Sequence, residues 1–439
     1  MAIHSQKFLQ AIATVTSKFS LDPTDYAGCT CLKASGRVKT TCQGFRWESV
    51  APAELGFGSA GASPSRYRQS CRSPNDNKKC LSFWYRLILT SLTLVGFGCV
   101  PQREKGVVLY SASDREYATP ILDAFERSNS GVEIARQFDI EASKTLGLVT
   151  RIERERERPK CDVFWNNEII HTIRLQKQGL LASRRWKVPD TWPKALKAKD
   201  GSWIGFAARA RVLIVNKNKL PNPESWPKST LELADAKWHH RCGLAYPVYG
   251  TTATHMAILS SHAKQIKGIA SAEQAYFGAD RSLDWERWST DWMQHAVVLA
   301  GNKQVALAVS RGELDWGLTD TDDAVIEKEA GNPVEIVFPD QESKGFGTLF
   351  IPNTLCVLQK APNPTAAGLL ADYLVSEKVE ARLSMGNSAQ FPVWPSAKVQ
   401  SRLTIEGIRW ADVDFEKAAE GWEKTTEDLK SRLELIRGR

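Results

Sequence analysis

The stretch GVVLYSASDREYATPILDAFERS, residues 106–128, sets the pattern for most of the chain. Val107-Val108-Leu109-Tyr110 is a short apolar run without polar alternation, which reads as a strand buried on both faces. A polar link, Ser111 to Asp114, follows. From Arg115 to Ser128 the period changes to that of a helix, with Tyr117, Ala118, Ile121, Leu122 and Phe125 on one stripe. The same alternation then recurs. Strands are expected at Val132–Phe138, Asp162–Trp165, Ala207–Asn216, Cys242–Tyr246 and Leu314–Leu318. Helices are expected at Ala142–Arg158, around Leu231–Trp238, from Thr252, at least once within Trp285–Arg311, and near Phe415–Arg437. Strands alternating with helices imply an α/β fold around largely parallel sheets.

Charge divides the chain in two. Its 439 residues carry a formal net charge of +8. Residues 1–99 hold 12 Lys/Arg against 5 Asp/Glu, a balance of +7, which leaves +1 for residues 100–439. The α/β part therefore offers no electrostatic case for nucleic acid. Cysteines divide at the same place: Cys29, Cys31, Cys42, Cys71, Cys80 and Cys99 precede residue 100, and Cys161, Cys242 and Cys356 follow it. Three widely spaced cysteines make neither a disulfide framework nor a zinc site of the CxxC type, and they read as small buried apolar residues.

Residues 1–77 lack periodicity and read as a disordered or mis-assigned N-terminal extension. Residues 78–99 read as an export signal. Lys78, Lys79 and Arg86 precede the apolar run Leu87 to Phe97, which is too short to span a membrane well and ends Gly96-Phe97-Gly98-Cys99. Cys99 resembles the acylated cysteine of bacterial lipoproteins, although Gly96 stands where such signals prefer Leu or Val.

Four stretches, in order, carry a family resemblance: Val108 to Asp114, Cys161 to Glu168, Gly243 to Tyr246, and Gly312 to Asp320. Residues 106–395 resemble the extracellular solute-binding proteins of ABC importers, of which the periplasmic ferric-iron-binding proteins are the best known. The resemblance implies a type II periplasmic-binding fold, two lobes with mixed sheets joined by crossover strands. The division expected is 106–205 plus 340–395 for lobe one, and 206–339 plus 396–439 for lobe two. It also implies a periplasmic monomer that hands its ligand to a membrane permease.

In open α/β sheets ligands sit beyond the carboxyl ends of the strands. That rule selects Ser111 to Asp114, Asn166 to Glu168, Pro247 to Thr254 and Thr319 to Asp323. From these the ligand-binding candidates are Ser111, Asp114, Asn167, Thr251, Thr252, Asp320, Asp322 and Asp323. Glu141, Ser143 and Lys144 are further polar candidates. Thr251 and Thr252 open a helix whose unpaired first-turn N–H groups suit an anion, and either residue could equally be a plain cap. In the resembling family a tyrosine pair holds ferric iron where this chain has Asp322 and Asp323, and Asp114 replaces a metal-binding histidine of some members. The candidate metal ligands are thus Asp114, Asp322 and Asp323, with Fe3+ as cargo and no resident cofactor.

Two carboxylates about 4 Å apart repel by about 4 kcal/mol at an effective dielectric of about 20, so convergence would favour a cation, whether a metal or an ammonium group. The plainer reading makes Asp320 an N-cap and places Asp322 and Asp323 in the first helical turn, about 100° apart, so that at most one faces the ligand. Trp165 reads equally as cleft floor or core, Arg209 and Arg211 as solvated or hinge-supporting, and the adjacent pair His239-His240 as surface residues. With no nucleophile elbow, HExxH, P-loop or GxGxxG, the pattern favours binding over catalysis. The ligand stays open between ferric iron with an anion and a small organic anion such as a phosphonate or sugar phosphate. A sensor or scavenger without a transporter is the remaining alternative to an importer component, and an enzyme on the same fold a weaker one.

Overall fold

A computed structural model describes residues 106–129, 131–139, 145–267, 276–395 and 401–437. The readings made for residues 1–105, including the signal and Cys99, and for Glu141, Ser143 and Lys144, lie outside the described residues.

Lobe one begins where the opening stretch places it. Strand β1 spans Gly106–Ser111 and helix α1 Arg115–Ser128, with Ala118, Ile121, Leu122 and Phe125 buried. Next come β2 (Glu133–Phe138), α2 (Leu146–Arg154), β3 (Val163–Asn166) and α3 (Ile170–Lys177). Helix α2 is shorter than expected. Beyond Ile152 the Glu/Arg run supplies no further apolar residue to its buried stripe, and the chain passes into turns.

Strand β4 runs over Trp203–Asn216, longer than expected, and all 14 of its residues are buried. Then follow β5 (Cys242–Ala245), α4 (Gly250–His262), α5 (Trp285–His295), β6 (Val297–Leu299) and α6 (Asn302–Ser310). The order continues with β7 (Trp316–Asp320), α7 (Thr321–Glu329), β8 (Val334–Val337), β9 (Phe350–Val357), α8 (Pro364–Leu374), α9 (Glu377–Met385) and α10 (Phe415–Arg437). The helix expected around Leu231–Trp238 is instead two 3-10 turns, Thr230–Ala234 and Ala236–Trp238. Ser229 and Glu232 form a capping box that opens the first, and the extended backbone of Asp235 separates it from the second.

Two sheets share β4. Its first half, Trp203 to Ala210, pairs antiparallel with β9 and completes a sheet of order β2-β1-β3-β9-β4. Its second half lies between β8 and β7, with β5 and β6 beyond β7. A bulge falls between Phe206 and Ala208, where Ala207 takes φ +31° and donates its N–H to Glu380 Oε1 at 2.6 Å. The distortion stands just before the strand passes from one sheet to the other. Each sheet is covered on both faces. Helix α10 lies along α3 and α4, giving Trp422 to a lobe-one cluster and Leu429 and Leu433 to a lobe-two cluster.

Candidate ligand-binding cleft

The strands deliver polar residues to one place because their carboxyl ends meet there. Asp114 follows β1, Asn167 follows β3, Tyr246 to Thr252 follow β5, Asn302 opens α6 after β6, and Asp320 ends β7. Together with Arg209 and Asp323 they line a single recess. A second recess adjoins it, with Asp114 and Asp323 in both and Lys303 at the edge.

Strand β4 contributes the cations. Arg209 and Arg211 are two residues apart, so their side chains leave the strand on the same face. Both are buried, at 5% and 0% exposure, which corrects the reading of them as solvated. Arg211 Nη1 donates to Asp320 Oδ1 at 2.6 Å and to Asn302 Oδ1 at 3.1 Å, while Nη2 donates to Thr252 Oγ1 at 3.1 Å. Thr251 Oγ1 and Asn302 Nδ2 donate to the other Asp320 oxygen at 2.6 and 2.9 Å. Asp320 occupies the N-cap position of α7 but makes no side-chain cap, because its carboxylate is turned to these partners. Burial alone would raise the Asp320 carboxyl; Arg211 and Arg209 outweigh it and hold the group below the usual carboxylate range.

Arg209 is placed differently. Its Nη1 donates to Asp322 Oδ2 at 3.2 Å and its Nη2 to the Asn167 carbonyl at 2.8 Å. Its Nε has no hydrogen-bond partner among the described residues. Burial works against the guanidinium charge, but Asp322 and Asp320 overcome it and keep Arg209 protonated.

The candidates therefore separate. Asp114, Asn167, Thr251, Thr252, Asp320 and Asp323 line the cavity. Asp322 is turned away, onto Arg209. Ser111 is buried outside the lining, where its Oγ accepts the Ser113 N–H at 3.2 Å. Trp165 is core, packed on Phe206. The Thr251 and Thr252 hydroxyls are engaged within the protein, so what they can offer a ligand is backbone. The first-turn N–H groups of α4 have no intrahelical acceptor and point where the cavity lies.

Oxygens of Asp320, Asp322 and Asp323 lie within 4.8 Å of one another, close enough to hold a hard cation. Two of these three acids already face guanidinium groups. The phenol of Tyr117 is held protonated by burial and by the charges of Asp322 and Asp323. Tyr246 and Asn302 escaped the sequence reading, and Arg209 was not read as part of the site. For Arg209 a signal existed: a charge inside a wholly apolar strand needs a buried partner.

Two lobes that share their central strand, with polar residues from both meeting at the strand ends, define a periplasmic binding protein. The chain belongs to the bacterial extracellular solute-binding proteins, whose family model matches residues 121–403. It is 27% identical over 304 residues to iron uptake protein A1 of Synechocystis, covering 67% of this chain and 77% of that protein. Iron uptake protein A2 of the same organism is 28% identical over 329 residues, 72% of this chain and 88% of that one. Among solved structures, iron-bound HitA of Pseudomonas aeruginosa superposes with a TM-score of 0.61 at 22% identity, covering 74% of this chain and 99% of that one. AfuA of Actinobacillus pleuropneumoniae, with exogenous fructose-6-phosphate bound, also gives 0.61, at 18% identity over 76% and 100% of the two chains.

Proposed function

We propose that this protein is the substrate-binding component of an ABC importer and captures a small organic anion of the phosphonate or sugar-phosphate type by hinge closure. The observation that carries this reading is Arg209, a buried guanidinium that lines the recess beside the α4 N-terminus. Backbone N–H groups and a guanidinium together suit a tetrahedral oxyanion. Asp114 and Asp323, on the opposing lobes, would receive a cationic group of the same ligand. Closure follows because each lobe holds only part of the site, so the ligand favours the state in which both parts touch it.

Ferric iron with an accompanying anion is the second reading. It is favoured by the three clustered carboxylates and by the iron-uptake relatives. Arg209 and Arg211 weigh against it, since they neutralise two of the three acids and would repel Fe3+. The release of the mature chain at or near Cys99, its lipid anchoring, a monomeric state and delivery to an inner-membrane permease belong to the same proposal.

Thermal unfolding of the protein with ferric citrate, inorganic phosphate and a panel of phosphorylated and aminophosphonate ligands tests it. A ligand at about 100 times its Kd adds about 2.7 kcal/mol of stability. Stabilisation by phosphorylated ligands that is lost in Arg209→Gln supports the organic anion. Stabilisation by iron alone, lost in Asp323→Ala, replaces it with the metal reading.

A further inference from the structure

At the other end of lobe two, before β5 rather than after it, two histidines from distant parts of the chain meet. His239 Nδ1 and His295 Nδ1 stand 3.0 Å apart. His295 is the last residue of α5, and His239 lies in the loop leading into β5. The loop is fastened at that point: the His240 N–H donates to the His295 carbonyl at 2.8 Å. His240 itself takes φ +57°, a left-handed backbone uncommon outside glycine, and its ring packs edge-on against His239 with centroids 4.0 Å apart. His239 and His240 are exposed and His295 is half-buried, so an ion has open access.

We infer that His239 and His295 form a surface site for a borderline divalent metal ion of the Zn2+, Ni2+ or Cu2+ class, separate from the ligand cleft. Two imidazole nitrogens each about 2.1 Å from one ion lie about 3.0 to 3.4 Å apart across octahedral to tetrahedral angles. The observed separation fits the lower end of that span. The carbonyl end of α5 adds a partial negative charge beside the ion. Solvent fills the remaining positions. Because the cleft lies at the carboxyl ends of the strands and this pair at an amino end, metal here leaves the cleft unchanged.

The test is titration of the full chain with Zn2+ by calorimetry. One site is expected, with affinity lowered about tenfold or more in both His239→Ala and His295→Ala, since even indirect partners of a metal ligand are worth about 10- to 100-fold. His240→Gly keeps it. Diethylpyrocarbonate labelling of the unaltered chain gives an independent reading, with Zn2+ protecting His239 and His295. Unchanged affinity in both alanine variants, or labelling of both histidines unaffected by Zn2+, overturns the site and leaves an imidazole–imidazole hydrogen bond.

Discussion

Arg209 and Arg211 sit two residues apart on one face of one strand, each against an aspartate, yet they belong to different regions. Arg211 is enclosed by Asp320, Thr251, Thr252 and Asn302, and its terminal nitrogens are satisfied by them. The Nε of each arginine lacks a hydrogen-bond partner among the described residues, and what sets Arg209 apart is that it lines the recess. The first network holds the lobe-two end of the cleft together; the second is the part of it that a ligand can reach. Position at the recess, and not residue type, separates the two arginines here.

The largest effect should come from the enclosed member. Arg211→Met removes the charge opposite Asp320 and leaves a buried carboxylate without its main partner, which costs about 3–5 kcal/mol. Urea unfolding measures it; a loss below about 1 kcal/mol would make the two arginines equivalent. Arg209→Gln should chiefly affect binding. Loss of a charge-assisted hydrogen bond, about 1.5–3 kcal/mol, weakens ligand affinity by roughly ten- to a hundredfold with a smaller cost in stability. Calorimetry on the two variants shows whether the effects separate as stated.

Glu380 sharpens the contrast, being an acid buried at the same crossover without an arginine. Burial pushes its carboxyl up to about 7, although the backbone N–H groups of Ala207, Val393 and Trp394 pull the other way. The folded chain therefore holds a proton that the unfolded chain, with an ordinary glutamate pKa, has released. Its contribution is complete below the ordinary glutamate range and is lost as pH rises toward 7. Stability of the native chain relative to Glu380→Gln should fall between pH 4.5 and 7 and then level off. A flat difference would mean that the three N–H donors prevail over burial. The smallest effect belongs to the exposed pair Lys303–Glu116, 3.9 Å apart across the cleft mouth. Lys303→Ala should change stability by less than about 1 kcal/mol, and more weakly still in high salt.

The contrast also marks how far the sequence could be read. Much of the strand and helix order was legible because an element announces its own period, as the opening strand and α1 do, but β6, β8, β9, α3, α8 and α9 were not read from it. The polar segments after the strands were legible because sheet topology fixes where strand ends go. Lateral pairing was not. Nothing local says that Asp322 turns to Arg209 while its neighbour Asp323 lines the cavity, or that Asp320 gives up its capping role for Arg211. The pair His239 and His295 lies 56 positions apart and has no local signal at all. The 3-10 turns at Thr230–Ala234 and Ala236–Trp238 escaped for a different reason: an apolar cluster of that length is compatible with a helix until the backbone at Asp235 is known.

The shared strand also dictates an order of events. Strand β9 lies between β3 and β4, so Val163 must wait for Val357 before its edge is covered. Residues 206–339, the larger part of lobe two, are synthesised in that interval. A growing chain consequently carries an open edge on its first sheet until nearly the last hundred residues appear, and contacts of such long range slow folding. The crossover that joins the two sheets thus leaves the first sheet incomplete until most of the second has been made.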